Sequence, residues 1–186
     1  MRVIAGSARG VRLAAPRGLL TRPTADRVRE ALFSIIQSRY DLKDTHALDV
    51  FAGTWGLGIE ALSRGAASCC FIENNRNALT CLRQNLSATR CSEQAQLLEL
   101  DVRKALQLLA DRNQRFNIIF FDPPYASELY TTVPERVCSL SLLDSGGLFC
   151  AECASRNPLP ERMGDLVKID RRIYGDTALE LFALED

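Results

Sequence analysis

Apolar residues along this chain fall into short continuous runs separated by helix-spaced stretches, the pattern of strands alternating with crossover helices. The clearest run, Phe116 to Phe121, is rich in Ile and Phe and predicts a short buried strand. Runs at 47–51, 69–72 and 97–100 predict three strands before it, and 148–152, 166–173 and 178–184 predict three after it. Ala78, Leu79, Leu82 and Leu86 recur at helical spacing and predict a helix over 75–86. Further helices are expected over 59–64, 102–110 and near 129–140. Near the start, Arg2 to Gly6 and Val11 to Ala14 predict two short strands joined around Gly6 to Gly10. Pro16 to Pro23 reads as a connector. Val28, Leu32, Ile35 and Ile36 then predict an amphipathic helix over 25–39, capped by Thr24 with Asp26 in its first turn. Strand and helix in alternation specify a doubly wound α/β sheet.

Composition narrows the class. The chain has 186 residues, 47% of them hydrophobic, enough for one well-buried domain. One domain over 1–186 is expected, made of a basic hairpin and arm at 1–23, a helix at 24–40 and a core at 46–186. No apolar run has membrane-spanning length, and seven cysteines without framework spacing suit a reducing compartment. A soluble, cytoplasmic protein follows as the expectation. Cys150 and Cys153 form a CxxC, but three positions apart on a strand they point to opposite faces, so no metal site is expected. The only histidine, His46, is read as incidental.

Net charge is zero but unevenly spread. Residues 1–39 carry eight arginines and no lysine against Asp26 and Glu30, a local +6 balanced by −6 in the remainder. Guanidinium pairs bidentately with phosphate and stacks on bases, so an all-arginine arm reads as a nucleic-acid contact. The candidates are Arg2, Arg9, Arg12, Arg22, Arg27 and Arg29.

The chemistry concentrates at strand ends. After Phe121 comes Asp122-Pro123-Pro124-Tyr125, where two prolines hold the chain extended and present Asp122 at the carboxyl edge of the sheet. Acidic side chain, proline carbonyl and aromatic ring suit a planar base bearing an amino group. After the first strand, Ala52 to Gly58 form a glycine-rich turn leading into a helix, a cradle for a nucleoside. Glu73 lies about twenty residues beyond it, the place suited to a ribose diol, and Asp101 ends the third strand. Four carboxylates, Asp49, Glu73, Asp101 and Asp122, around one crevice disfavour a pyrophosphate, and the G-x-x-G-x-G spacing is not the dinucleotide fingerprint. A cationic nucleoside such as S-adenosylmethionine fits better. The expected cofactor set is Asp49, Phe51, Gly53, Gly56, Glu73, Asn74, Asp101, Val102 and Asp122. Phe51 and Phe121 read mainly as core, Asn74 and Val102 equally as helix caps, Glu152 as a surface acid, and Tyr174 to Thr177 as a substrate entrance.

At these residues the chain resembles the RsmD-type guanine-N2 methyltransferases of small-subunit ribosomal RNA over nearly its whole length. The matching segments are Arg2 to Gly6, Arg22-Pro23-Thr24 through Arg29-Glu30-Ala31-Leu32-Phe33, Leu48 to Gly53, Gly58 to Ala66, Asp122 to Tyr125 and Tyr174 to Thr177. The resemblance implies a Rossmann-like class I methyltransferase fold, a seven-stranded, mostly parallel sheet with an antiparallel last strand. It also implies S-adenosylmethionine as donor and a guanine of 16S RNA, in the small subunit or its assembly intermediate, as acceptor. Asp122, Pro123 and Tyr125 are then catalytic, and the chain is expected to act as a monomer. One departure stands out: Thr54-Trp55-Gly56 replaces the family's usual Ser-Gly-Ala. The Pro-Pro motif is shared with DNA adenine-N6 methyltransferases, which usually need a separate recognition region for which 186 residues leave little room. A noncatalytic RNA-binding module would explain the arginines but not the strand-end carboxylates.

Overall fold

The computed structural model describes residues 1–15, 23–53, 56–123 and 128–185, with only the backbone for 23–25. In chain order the elements are α1 (Pro23–Arg39), β1 (His46–Asp49), α2 (Leu57–Ser63), β2 (Ser68–Ile72), α3 (Arg76–Ala88) and β3 (Ala95–Leu98). There follow α4 (Val102–Asp111), β4 (Phe116–Phe121), α5 (Leu129–Ser139), β5 (Leu143–Ala154), β6 (Arg162–Met163), β7 (Leu166–Tyr174) and β8 (Thr177–Leu184). The strands form one sheet in the order β3-β2-β1-β4-β5-β8-β7-β6. Pairing is parallel from β3 to β5, and β8 runs antiparallel to both β5 and β7. The α/β architecture is the expected one, with a two-residue eighth strand, β6, added at the edge. No helix among the described residues is long and apolar enough to cross a membrane.

Strand β4 is the spine of the sheet because both its faces are apolar. Ile118 and Phe120 pack into one buried cluster with Leu32, Phe33, Ile59 and Leu82, the face covered by α1, α2 and α3. Ile119 and Phe121 pack into the other with Leu106, Leu109, Val133 and Val137, the face covered by α4 and α5. Cys150 and Cys153 fall into opposite clusters, as period-two alternation requires.

The elements differ from the sequence expectation mainly at their ends. β3 covers 95–98 rather than 97–100, because Ile72 on β2 pairs with Leu98 and leaves Leu100 beyond the ladder. β5 begins at Leu143, pairing with Phe116 before a register shift that brings Leu148 opposite Ile118. α1 begins at Pro23, so Thr24 lies inside its first turn instead of capping it.

The N-terminal hairpin is clamped onto α2. Arg2 and Arg12 form an antiparallel bridge, and Val3 N–H donates to Val11 O at 2.9 Å. At the hairpin bend, Ser7 N–H donates to Ser63 O at 2.7 Å and Ala8 N–H to Ser63 Oγ at 3.0 Å. Gly6 comes so close that a Cβ there would sit 1.7 Å from Ser63 O. Glu60 completes the clamp, accepting from Ile4 N–H at 2.9 Å and Ala5 N–H at 3.0 Å.

Candidate active site

A cleft of about 720 Å³ runs across the carboxyl ends of β3, β2, β1, β4 and β5 and reaches the start of β8. That is the size of a small-molecule site, and it lies where the strand order reverses between β1 and β4, the place open α/β sheets bind ligands. Phe51, Gly53, Glu73, Asn74, Asp101, Val102, Asp122 and Pro123 line it, so the fold gathers most of the residues expected there. Tyr125, Thr54, Trp55 and Arg22 lie outside the described residues.

Two expected cofactor residues serve a different purpose. Asp49 is 4% exposed and does not line the cleft; its carboxylate accepts Gly58 N–H at 2.9 Å and thereby holds the glycine turn against β1. Burial, only partly offset by that hydrogen bond, pushes it up to about 7. Gly56, in left-handed conformation at the start of α2, faces Leu13 of the hairpin rather than the cleft. Gly58 permits the close approach of α2 to β2: a Cβ there would lie 2.4 Å from the Phe71 ring and 2.6 Å from Cys69 Sγ.

Glu73 organises the cofactor end. One carboxylate oxygen accepts Gly53 N–H at 2.9 Å and the other accepts Asn74 N–H at 2.8 Å and Asn75 N–H at 2.7 Å. The oxygen that accepts Gly53 N–H has a second lone pair, so a ribose hydroxyl can still approach it. Asn75, not Asn74, caps α3, through Asn77 N–H and Ala78 N–H, which leaves Asn74 to line the cleft. Asp101, not Val102, caps α4, accepting Arg103 N–H at 2.9 Å while lining the cleft. Phe51 does two jobs, packing on Phe121 at 5.8 Å between ring centroids and lining the cleft.

At the other end, Asp122 follows the last residue of β4. Burial and then the charges of Glu152 and Asp49 push its carboxyl well above the usual range. Glu152 is the residue that sequence reasoning missed. It is half-buried and lines the cleft instead of standing on the surface, and burial raises its carboxyl too. The available signal was its isolation as the single acid in Leu148-Phe149-Cys150-Ala151-Glu152-Cys153. Thr177 also lines the cleft, whereas Tyr174 packs against the core.

The arginine set divides. Arg2, Arg9, Arg12 and Arg27 are exposed, and among the described residues none forms an ion pair with an acid. Arg29 is 3% exposed and turned inward. Its guanidinium donates to the Arg2 carbonyl and to Asp26 and lies 3.8 Å from Glu60, so it ties α1 to the hairpin and α2 rather than meeting solvent.

The family model named Conserved hypothetical protein 95 matches residues 1–183. The chain is 37% identical over 182 residues to Bacillus subtilis YlbH, provisionally named an rRNA methyltransferase, covering 98% of each. It is 33% identical over 185 residues to Ribosomal RNA small subunit methyltransferase D of Escherichia coli, covering all of this chain and 90% of that one. The chain belongs to this family. The structure of the Escherichia coli protein yhhF, provisionally described as a methyltransferase, superposes with a TM-score of 0.85 at 33% identity, covering 100% of this chain and 98% of that chain. A more distant protein, SMU.776, provisionally described as a methyltransferase and solved with SAH, shares the fold at a TM-score of 0.65 and 16% identity, covering 78% of this chain and 48% of that one.

Proposed function

We propose that this member of the family transfers a methyl group from S-adenosylmethionine to the exocyclic N2 amine of a guanine in small-subunit ribosomal RNA. The observation that carries the proposal is the arrangement of the cleft: ribose- and adenine-suited acids, Glu73 and Asp101, at one end and the Asp122-Pro123 pair at the other. The names of the relatives supply the RNA. The lining fits this donor, because its carboxylates suit a cation bearing a ribose and repel a pyrophosphate. S-adenosylmethionine, when bound, supplies an electrophilic methyl group on a sulfonium. Glu73 would take the ribose, with Asn74, Asp101 and Val102 around the adenine.

The chain's own residues do the rest by positioning. Arg2, Arg9, Arg12 and Arg27 offer exposed positive charge to phosphates. A loop guanine turned out of its stack, at a cost of a few kcal/mol, enters the Asp122 end of the cleft. Its exocyclic nitrogen is a poor nucleophile because its lone pair is shared with the ring. Hydrogen bonds to the Asp122 carboxylate and the Pro123 carbonyl would bias that nitrogen toward a tetrahedral geometry, and Tyr125 is assigned to stack on the base from its place in the motif. Alignment of this kind contributes roughly 7–11 kcal/mol to a bimolecular step, so no separate histidine or lysine base is required. Donation from the amine favours the ionised form of Asp122 against the upward push of burial, and that carboxylate also stabilises positive charge developing on the nitrogen.

Asp122→Ala tests the assignment. It should leave S-adenosylhomocysteine affinity nearly unchanged by calorimetry while methyl transfer to small subunits falls about 100-fold or more. Nucleoside mass spectrometry of the wild-type product should find N2-methylguanosine. Methylated adenine, or transfer at an unaltered rate by the variant, would refute the proposal.

A further inference from the structure

We propose that Glu152 reads the ring N1–H of the target guanine, making it a specificity-determining residue of the site; this rests on the function proposed above. The placement comes from strand register. β4 and β5 pair in parallel with Phe121 opposite Ala151, and neighbouring strands stand about 4.8 Å apart. Continuing one residue sets Asp122 beside Glu152, on the same face of the sheet and in the wall of the same cleft. Glu152 sits on a fixed backbone: it pairs with Leu179 on β8, and the Tyr130 hydroxyl donates to its carbonyl at 3.4 Å.

The carboxylate of Glu152 has no hydrogen bond or ion pair among the described residues. Glu180, the other acid facing inward from this part of the sheet, shows the contrast. It accepts Leu159 N–H at 3.2 Å and pairs with Lys168 at 3.0 Å and Arg171 at 2.8 Å. Glu180 therefore has a structural role that its partners complete. A half-buried acid without such partners is costly to keep, and the cleft into which it opens is where a partner can arrive.

The chemistry of that partner follows from the acceptor pair. If Asp122 takes the exocyclic amine, the next group along the base edge meets Glu152. In guanine that group is N1–H, a donor. In adenine and cytosine the ring nitrogen beside the amine is an acceptor, and its lone pair would face the carboxylate. Two adjacent carboxylates thus select guanine among amine-bearing bases, which the Asp-Pro-Pro-Tyr motif alone does not do. Donation from N1–H also favours the ionised form of Glu152, reversing the upward push of burial.

The test uses 2-aminopurine, which keeps the exocyclic 2-amine but has an unprotonated N1. The methylated guanosine is first mapped in wild-type product, and small subunits are then reconstituted with guanine or 2-aminopurine at that position. Wild type should prefer guanine by about 100-fold or more in kcat/KM, since a site built around a donor rejects an analogue lacking it. Glu152→Gln can turn its amide N–H toward N1, so its preference should fall to within about tenfold, with relative gain on 2-aminopurine. Glu152→Ala should lose rate on guanine and lose the preference as well. S-adenosylhomocysteine affinity, unchanged by calorimetry in Glu152→Gln, shows the fold and donor end intact. A wild-type preference preserved in both variants would overturn the assignment, because the absent O6 of 2-aminopurine would then account for it. If wild type methylates no guanine at all, the proposed function falls and takes this inference with it, an outcome seen before any variant is made.

Discussion

Replacing Asp49 by Asn should stabilise the protein at neutral pH, by an amount that depends on pH. Asp49 is 4% exposed, has Gly58 N–H as its hydrogen-bond donor, and is pushed by burial from an ordinary value of 3.8 up to about 7. In the unfolded chain it releases its proton near pH 3.9. Between those values the folded state holds a proton that the unfolded state has lost, so this residue's contribution to stability falls as pH rises. Asn cannot titrate, and its side-chain oxygen can still accept Gly58 N–H. The stability difference between Asp49→Asn and wild type should therefore widen by roughly 2–4 kcal/mol from pH 4 to pH 8. Part of the gain comes through Asp122, whose carboxyl Asp49 also pushes up. Urea denaturation followed by far-ultraviolet circular dichroism at pH 5, 6, 7 and 8, at constant ionic strength, measures it from midpoints and slopes. A difference that stays flat across that range, or narrows, would refute the assignment of Asp49 as a buried acid held protonated by the fold.

Two further outcomes follow from the clamp and the arm. Glu60 is 1% exposed and accepts from Ile4, Ala5 and Arg64 while lying 3.8 Å from Arg29. Glu60→Ala removes the charge that offsets Arg29 and Arg64 and should cost about 3–5 kcal/mol, with amide exchange at Ile4 and Ala5 accelerated; a loss below about 1 kcal/mol would sink this account of the hairpin. Arg2 and Arg12, side by side on the hairpin and exposed, should together contribute close to two phosphate contacts. Changing both to Ala should reduce the slope of log affinity for RNA against log salt by roughly 1.4–1.8 over 50–200 mM, read by filter binding, and an unchanged slope would move the RNA elsewhere.

The sequence was most legible where one residue pattern has one solution. Phe116 to Phe121 is apolar at every position but Asn117, so its extent and its central place follow, and the two prolines then fix where Asp122 emerges. Legibility failed where pairing or charge partners lie far along the chain. The residues of β3 are set by Cys69 to Ile72 on β2, and the start of β5 by a pairing with Phe116 across Gly146 and Gly147, which carry no hydrophobic signal. Arg29 looks like its exposed neighbours because the acid that draws it inward, Glu60, is thirty-one residues away.

Acids posed the same difficulty, and their resolution bears on function. Asp49, Glu60, Asp122, Glu152 and Glu180 all read as carboxylates in or beside apolar segments. In the folded chain two of them meet cations: Glu60 with Arg29 and Arg64, Glu180 with Lys168 and Arg171. Such pairs are completed by the protein itself and hold elements together. Asp49, Asp122 and Glu152 meet no cation among the described residues, and burial leads the causes raising all three carboxyls. Asp49 recovers part of its cost through the glycine turn. Asp122 and Glu152 recover nothing until a group with N–H donors or positive charge enters the cleft. A fold that keeps two adjacent acids in that condition gives up stability at neutral pH, and it does so at the end of the sheet where an amine-bearing base would be held.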